Sequence, residues 1–298
     1  VSSVLVWTIY SGLHQYFSPG MAVMWAVLLP LLVVLLVLVL TEGIVATEVL
    51  FGTQLRRRFL PYASPTSKPL PKVSLHLPIC NEPPEMVKQT LNSLAALDYP
   101  DFEVLVIDNN TKDPAVWQPV QAHCEALGPR FRFFHEDTLK GFKAGALNYA
   151  LARTAPDAEV IGVIDSDYVV APNWLKSLVP YFERPEVGFV QAPQDHRDGD
   201  ESAFKEMNNW EYAGFFDIGM VQRNEANAII QHGTMTLIRK SALQQVGNWS
   251  EWCICEDAEL GLKLMEAGYQ SVYSRQRFGW GLTPDSFTGY KKQRFRWA

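Results

Sequence analysis

The pattern of apolar and polar positions divides the 298-residue chain in two. No Asp, Glu, Lys or Arg occurs over residues 1–41, and residues 21–40 (MAVMWAVLLPLLVVLLVLVL) form an unbroken apolar run. About 20 such residues span a bilayer core, and a helix packed in a soluble core would keep a polar face that this run lacks. The pattern therefore predicts a transmembrane helix over about 21–40, with Pro30 kinking rather than breaking it. A cleavable signal peptide fits less well: the run is too long, no basic residue precedes it and no small-residue cleavage site follows. Residues 1–17 read as the end of a preceding membrane helix or as an interfacial segment, with Ser18-Pro19-Gly20 as the turn. The first basic cluster, Arg56-Arg57-Arg58, follows the span, which by the positive-inside rule makes the C-terminal side cytoplasmic.

After a proline- and serine-bearing linker at 61–71 (PYASPTSKPLP), the period changes. Short runs rich in β-branched and aromatic residues predict strands at 72–79 (KVSLHLPI), 102–108 (FEVLVID), 130–136 (RFRFFHE) and 159–165 (EVIGVID), alternating with helices over 84–97, 116–127 and 144–153. Such alternation implies a mostly parallel sheet covered on both faces, with ligands at the carboxyl ends of its strands. Asn81, Glu82, Asp108, Asp165 and Asp167 all fall at strand ends, so they are expected to converge on one crevice. Beyond Asp167 the pattern loosens into a helix over 174–182, a strand at 187–193, a long helix over 203–223, a strand at 234–239 and a helix over 256–267. The domain plan is a membrane segment at 1–60, the linker at 61–71, and a cytosolic globular domain at 72–298.

Composition and motif absences narrow the chemistry. A formal charge of −6 argues against a nucleic-acid partner. No Gly-x-Gly-x-x-Gly follows the first strand, and no Gly-Lys-Ser/Thr loop is present for a triphosphate. Four cysteines fit a reducing cytosol, and the spacing of Cys253, Cys255 and His232 matches no zinc pattern.

Asp165 and Asp167 lie two apart in extended chain, hence on one face and roughly 6–7 Å apart. Two such carboxylates suit a magnesium or manganese ion bearing a phosphate; they also suit a solvated turn. KGFKAGALN (140–148) sets Lys140 and Lys143 with two glycines at a helix start, where a phosphate is favoured, although lysines also make ordinary surface. Glu256-Asp257 opens another helix, consistent with a general base or simply with acidic preference for a helix N-terminus. At the end, KKQRFRWA offers Arg for a diphosphate and Trp for a sugar face, or an interfacial helix with snorkelling cations; the two can occupy different faces.

Taken in order, CNE after the first strand, VID after the second, KAGALN, DSD, CED and QRFRW form a set that resembles the membrane-bound processive glycosyltransferases of family 2. These include the bacterial cellulose, hyaluronan, chitin and curdlan-type β-glucan synthases. The resemblance covers about residues 73–297, and Gln293-Arg294-Phe295-Arg296-Trp297 marks the polymerising members. Cys255 departs from the Thr-Glu-Asp of cellulose synthases. The resemblance implies a GT-A-like nucleotide-diphospho-sugar transferase fold of α/β class, preceded by one or two transmembrane helices and followed by more beyond residue 298.

The same resemblance assigns roles. Asn81, Glu82 and Asp108 would hold the nucleoside, with Lys143 near the uridine diphosphate. Asp167 would ligate Mg2+ or Mn2+, with Asp165 supporting it. Asp257 would be the base, beside Glu256. Gln293 and Trp297 would line the acceptor end, Arg296 would face the leaving diphosphate, and His232, Gly233 and Thr234 would form an acceptor-side loop. The implied reaction is processive, inverting polymerisation of a β-glucan from UDP-glucose, coupled to export. The partners would be a UDP-sugar, a growing polysaccharide, the lipid bilayer and accessory export subunits. The setting would be a bacterial-type inner membrane, with a multi-pass protein and a cytoplasmic catalytic domain. Alternatives are a β-linked polymer containing N-acetylglucosamine, a non-processive family 2 transferase, or an inactive nucleotide-binding module. The last would predict a damaged metal or base position, whereas Asp165, Asp167 and Asp257 are all present.

Overall fold

The computed structural model describes residues 2–13, 18–52, 55–57 and 69–297. Contacts divide the chain into two compact units, Val1–Gln54 and Leu55–Ala298. The first holds α1 (Ser2–Leu13) and α2 (Pro19–Phe51). Ser18 caps α2 by accepting the Met21 N–H (3.3 Å), and Pro19 takes the first turn, where a missing N–H costs nothing. The helix runs unbroken through Pro30 and past the expected end near 40 for 33 residues in all, about 50 Å at 1.5 Å per residue. Thr41 and Thr47 donate their hydroxyls to the Val37 and Gly43 carbonyls one turn back (2.8 and 2.7 Å), so those groups are satisfied inside the helix. Among the described residues α2 is the one helix long and apolar enough to cross a membrane. Of the expected 1–17 segment, α1 forms 12 residues and residues 14–17 lie outside the described ones, as do Arg58 and most of the expected linker.

The other two arginines of the basic cluster are bound into the second unit. The backbone N–H groups of Arg56 and Arg57 both donate to the Glu225 carboxylate (2.8 and 2.9 Å). The Arg57 guanidinium reaches the carbonyls of Asn224 and Ser271 (2.8 Å each).

The second unit begins with the predicted alternation: β1 (Lys72–Ile79), α3 (Pro84–Ala95), β2 (Phe102–Asn109), α4 (Pro114–Leu127), β3 (Phe131–Glu136), α5 (Phe142–Leu151) and β4 (Ala158–Val163). β5 (Val169–Val170) and α6 (Trp174–Leu178) follow, then β6 (Val187–Gln191) and α7 (Ala203–Gly214). The predicted long helix over 203–223 is α7, one π turn (Phe215–Gly219) and α8 (Met220–Glu225). The chain ends with β7 (Thr236–Arg239), α9 (Lys240–Gln245), α10 (Glu256–Glu266), β8 (Gln270–Tyr273), β9 (Gly279–Trp280) and α11 (Phe287–Trp297).

Seven strands pair in the order β3-β2-β1-β4-β7-β6-β8, and β7 runs antiparallel to both its neighbours. All of β2 is buried. Val104 and Val106 pack with Val87 and Leu91 of α3 and Val120 of α4, while Leu105 and Ile107 pack with Ala146 and Ala150 of α5 on the other face. That two-sided burial is why the strand carries the unbroken apolar stretch 104–107 (VLVI). Gly162 in β4 is required by this packing, since a Cβ there would lie 2.4 Å from Leu75 Cδ2. The chain winds outward from β1 through β2 to β3, then crosses back to β4 on the other side of β1. A crevice therefore opens beyond the carboxyl ends of β1 and β4, where the strand order reverses.

His76 sits fully buried on β1, with Nε2 paired to Thr154 Oγ1 (2.9 Å) and no partner at Nδ1. Burial pushes its imidazole down to about 3. The unfolded chain takes up this proton near 6.5 and the folded one only near 3, so the contribution to stability is intact above 6.5 and falls as pH drops, by roughly 1.4 kcal/mol per unit. Melting curves from pH 7 to 5 are expected to be shallower in pH for His76→Gln than for wild type; equal slopes would remove His76 as the cause.

Candidate active site

β4 leads directly into the paired carboxylates. The Ile164 N–H extends the ladder to the His76 carbonyl (3.1 Å), and Asp165, Ser166 and Asp167 then turn across the crevice. The turn is tied down on three sides. Thr90 of α3 donates its hydroxyl to the Ser166 carbonyl (2.7 Å), the Asp165 N–H donates to Thr234 Oγ1 (3.1 Å), and the Leu282 N–H donates to Asp167 Oδ2 (2.8 Å). Glu82 comes from the loop after β1. Burial, and then the charges of Asp167 and Asp165, push its carboxyl above the usual range; burial and then Asp165 do the same to Asp167. A carboxylate group that is mutually repelled and partly dehydrated is short of positive charge, which a divalent cation supplies. Asp165 and Asp167 could hold a divalent cation of the kind that takes one or two carboxylates and fills its remaining positions with phosphate oxygens and water.

A cation of the chain's own faces this group. Gly141 adopts a left-handed conformation (φ 82°), and a Cβ at Gly145 would lie 1.8 Å from the Lys140 carbonyl, so both glycines of KGFKAG are structurally required. The turn they allow leaves Lys140 exposed and sends Lys143 into the crevice. There the Lys143 ammonium pairs with Asp165 and donates to the Gly233 carbonyl (2.8 Å). Burial opposes its charge, but Asp165, Glu256 and Asp257 more than compensate and hold it above the usual lysine range.

Gly233 is the point where these groups meet. A Cβ there would lie 2.8 Å from Lys143 Nζ and 3.0 Å from Asp257 Oδ2. Both atoms are ends of flexible side chains, so Gly233→Ala should fold with little change in melting temperature while displacing both. A misplacement of about 1 Å costs about 10²-fold in turnover; a variant with wild-type turnover would show that this contact is idle.

Glu256, at the start of α10, is 5% exposed. Burial, relieved by Lys143 and reinforced by Asp257, pushes its carboxyl up to about 7. The folded state therefore holds this proton between pH 4.5 and 7 where the unfolded chain has released it, so stability falls across that window, by about 3 kcal/mol in total. Above pH 7, in EDTA, Glu256→Gln should melt higher than wild type, and an equal or lower melting temperature would contradict the shift.

On the far side of Gly233, the His232 imidazole lies 5.4 and 5.0 Å from the rings of Phe215 and Phe216, which the π turn presents. Burial pushes it down to about 4, and its Nδ1 has no partner. Gln191 at the end of β6 holds this loop, accepting the His232 N–H (2.9 Å) and donating to the Thr234 carbonyl (3.0 Å). π turns of this kind collect at functional sites.

Two expected residues are placed differently. Asp108 is 1% exposed and faces inward: Thr111 donates its hydroxyl to Oδ1 (2.5 Å) and His135 Nδ1 lies 2.6 Å from Oδ2. His135 stacks on Trp117 at 4.2 Å, and Thr111 Oγ1 accepts the Asn81 N–H (2.8 Å), so Asp108 anchors a chain reaching the loop after β1. In QRFRW the inward guanidinium belongs to Arg294, whereas the Arg296 side chain is exposed. Arg294 pairs with Glu211 of α7 (2.7 Å) and lies over Tyr212, Tyr290 and Trp297 at 5.2, 4.6 and 4.5 Å. Positions 290, 294 and 297 share one face of α11, which turns 295 and 296 outward. Gln293 is half-buried and accepts from Arg294 (3.3 Å), whereas Trp297 stays 51% exposed with its ring 6.3 Å from that of Tyr212. The pattern of the sequence did not single out Gln191, Glu211 or Arg294 as site residues. Their partners lie far away along the chain, and only Arg294 fell inside a motif.

A mostly parallel sheet with an acidic pair at its switch point, faced by a lysine and a second carboxylate pair, defines a GT-A-like α/β domain. Residues 71–298 match the family described as "Glycosyltransferase like family 2", and the chain belongs to that family. It is 25% identical over 236 residues to "Probable glucomannan 4-beta-mannosyltransferase 9" of Oryza sativa subsp. japonica, covering 76% of this chain and 44% of the rice protein. The chain thus spans less than half the length of that relative. Among solved structures it resembles the mannosyltransferase PcManGT from Pyrobaculum calidifontis in complex with GDP-Man and Mn2+, with TM-score 0.66 and 22% identity over 87% of this chain and 67% of that one. It also resembles S. aureus TarS 1-349 in complex with UDP-GlcNAc, with TM-score 0.52 and 19% identity over 74% of this chain and 60% of that one.

Proposed function

We propose that the chain is the catalytic part of a membrane-anchored, inverting glycosyltransferase that polymerises a β-glucan from UDP-glucose with a divalent metal and couples synthesis to export. The observation that carries this reading is the meeting of Lys143, Asp165 and Asp257 around Gly233, which puts diphosphate anchors and a base within one side chain's reach. The ordered motifs up to QRFRW support a polymerising enzyme, and the apolar helix α2 supports a membrane setting.

In the proposed displacement Asp257 removes the proton from an acceptor hydroxyl whose oxygen forms a bond to the anomeric carbon. The bond from that carbon to the β-phosphate oxygen breaks, and its electron pair leaves with the nucleoside diphosphate. Lys143 neutralises charge on that leaving group in a crevice where water screens it poorly. Asp167, supported by Asp165, would hold the Mg2+ or Mn2+, which when bound supplies Lewis-acid stabilisation of the diphosphate. Attack opposite the leaving group converts an α-linked donor into a β-linkage. Asn81 and Glu82 border the nucleoside, with Asp108 fixing their loop from behind. Thr234 orients Asp165, and His232 lies on the acceptor side with Gln293 and Trp297.

GDP-mannose is the second reading, favoured by the similarity to the rice mannosyltransferase and by the fold shared with PcManGT. Membranes bearing the full-length protein, given labelled UDP-glucose, GDP-mannose or UDP-N-acetylglucosamine with Mg2+ or Mn2+, separate the two. The expected product is a long polymer from UDP-glucose that β-glucanases degrade. Incorporation of mannose alone would replace the donor, short products at all times would remove processivity, and no incorporation from any donor would sink the transferase reading.

A further inference from the structure

The segment FGWGLTPD (278–285) carries two glycines that none of the roles above uses. β9 pairs antiparallel with β5 just after Asp167 (Val169 opposite Trp280, Val170 opposite Gly279), and the Phe278 carbonyl accepts the Ala171 N–H (2.7 Å). This strap lies so close to its floor that a Cβ at Gly279 would come 2.4 Å from Met235 Sδ, and one at Gly281 would come 2.4 Å from the Tyr168 ring. This close approach brings residue 282 to the crevice, where its N–H donates to Asp167 Oδ2 (2.8 Å).

The loop after β6 fastens the strap. Arg197 donates through one guanidinium nitrogen to the Asp167 carbonyl and to the Trp280 carbonyl (2.8 Å), and its N–H donates to the Gly281 carbonyl (3.0 Å). Asp198, 4% exposed, accepts the N–H and the hydroxyl of Thr283 (2.9 and 3.0 Å) and pairs with Lys205 (2.8 Å). Lys205 also pairs with Glu201 (2.7 Å) and Asp285 (3.0 Å), closing the far end. The clasp thus ends in a backbone donor, the Leu282 N–H, on the carboxylate that Asp165 repels. A fixed N–H offsets that repulsion and spares the carboxylate an orientational search when a cation arrives.

We propose that Arg197, Asp198 and Lys205 are positioning residues that, through the 280–283 strap and its Leu282 amide, orient Asp167 for a divalent cation and so set metal affinity rather than the rate of bond transfer. This rests on the reading of Asp167 as a metal ligand. The test is Mn2+ binding to the full-length protein in detergent with UDP, followed by loss of the free-ion electron paramagnetic resonance signal, together with turnover against Mn2+ concentration. Arg197→Met and Lys205→Met should weaken Mn2+ binding and raise its apparent KM 10- to 100-fold, with kcat at saturating Mn2+ within about threefold of wild type; Arg197→Lys should recover part of the loss. Leu282→Pro deletes the donor itself and should match them, whereas Leu282→Ala keeps the N–H and should bind Mn2+ as wild type does. Lys205→Met and Leu282→Pro carry the test if Arg197→Met does not fold. Folded variants with wild-type Mn2+ affinity, or with reduced kcat and unmoved KM for the metal, overturn the proposal. Wild-type protein that binds no Mn2+ would instead overturn the metal reading of Asp167.

Discussion

Asp257→Asn is expected to lower transfer by about 10²–10⁴-fold, the usual contribution of a positioned general base. Its fold should survive, because Asp257 Oδ1 accepts the Ala258 N–H (2.8 Å) and the amide oxygen of Asn can do the same. Lys143 keeps Asp165 and the Gly233 carbonyl in the variant, so the nucleotide should still bind. Incorporation of labelled sugar, UDP binding and a thermal melt, run side by side, separate these effects. Wild-type incorporation by a folded Asp257→Asn protein would remove Asp257 as the base and turn attention to Glu256.

Asp167→Asn and chelation of the wild type should fall to the same floor. Withdrawing several kcal/mol of charge stabilisation from the departing diphosphate corresponds to about 10³-fold in rate. EDTA should then cost the variant nothing further, since the two treatments remove one interaction. Stability should move the other way: burial and the neighbouring Asp165 already disfavour the Asp167 anion, so the neutral amide relieves a repulsion. Full activity of chelated wild-type protein would refute the metal role, and an additive loss would place the ion elsewhere.

Several of these groups were legible because they follow from local pattern. Asp165 and Asp167 are visible as carboxylates two apart at the end of a buried strand, and Lys143 as a lysine in a turn that two glycines shape. Arg294 was not, because both arginines of QRFRW suit a diphosphate. The choice between them belongs to Glu211, 83 residues earlier, and to the face of α11 that packs there. Asp108 was legible as a strand-end acid but not as an inward-facing one, since His135 and Thr111 reach it from other elements. The strap over Asp167 had only the spacing of Gly279 and Gly281 as a signal, because the group it delivers is a backbone N–H common to nearly every residue.

By itself the sequence determined the apolar helix, the alternation of strands and helices, the parallel half of the sheet and the strand-end positions of the acidic residues. Each depends on the period of burial along a short stretch, which neighbouring residues set between them. The tertiary structure alone decided that β7 enters the sheet antiparallel and that Arg294 rather than Arg296 turns inward. It also decided that the Leu282 amide holds Asp167. Those outcomes rest on contacts between segments tens to hundreds of residues apart, where shape and backbone hydrogen bonding select among side chains that local chemistry leaves equivalent.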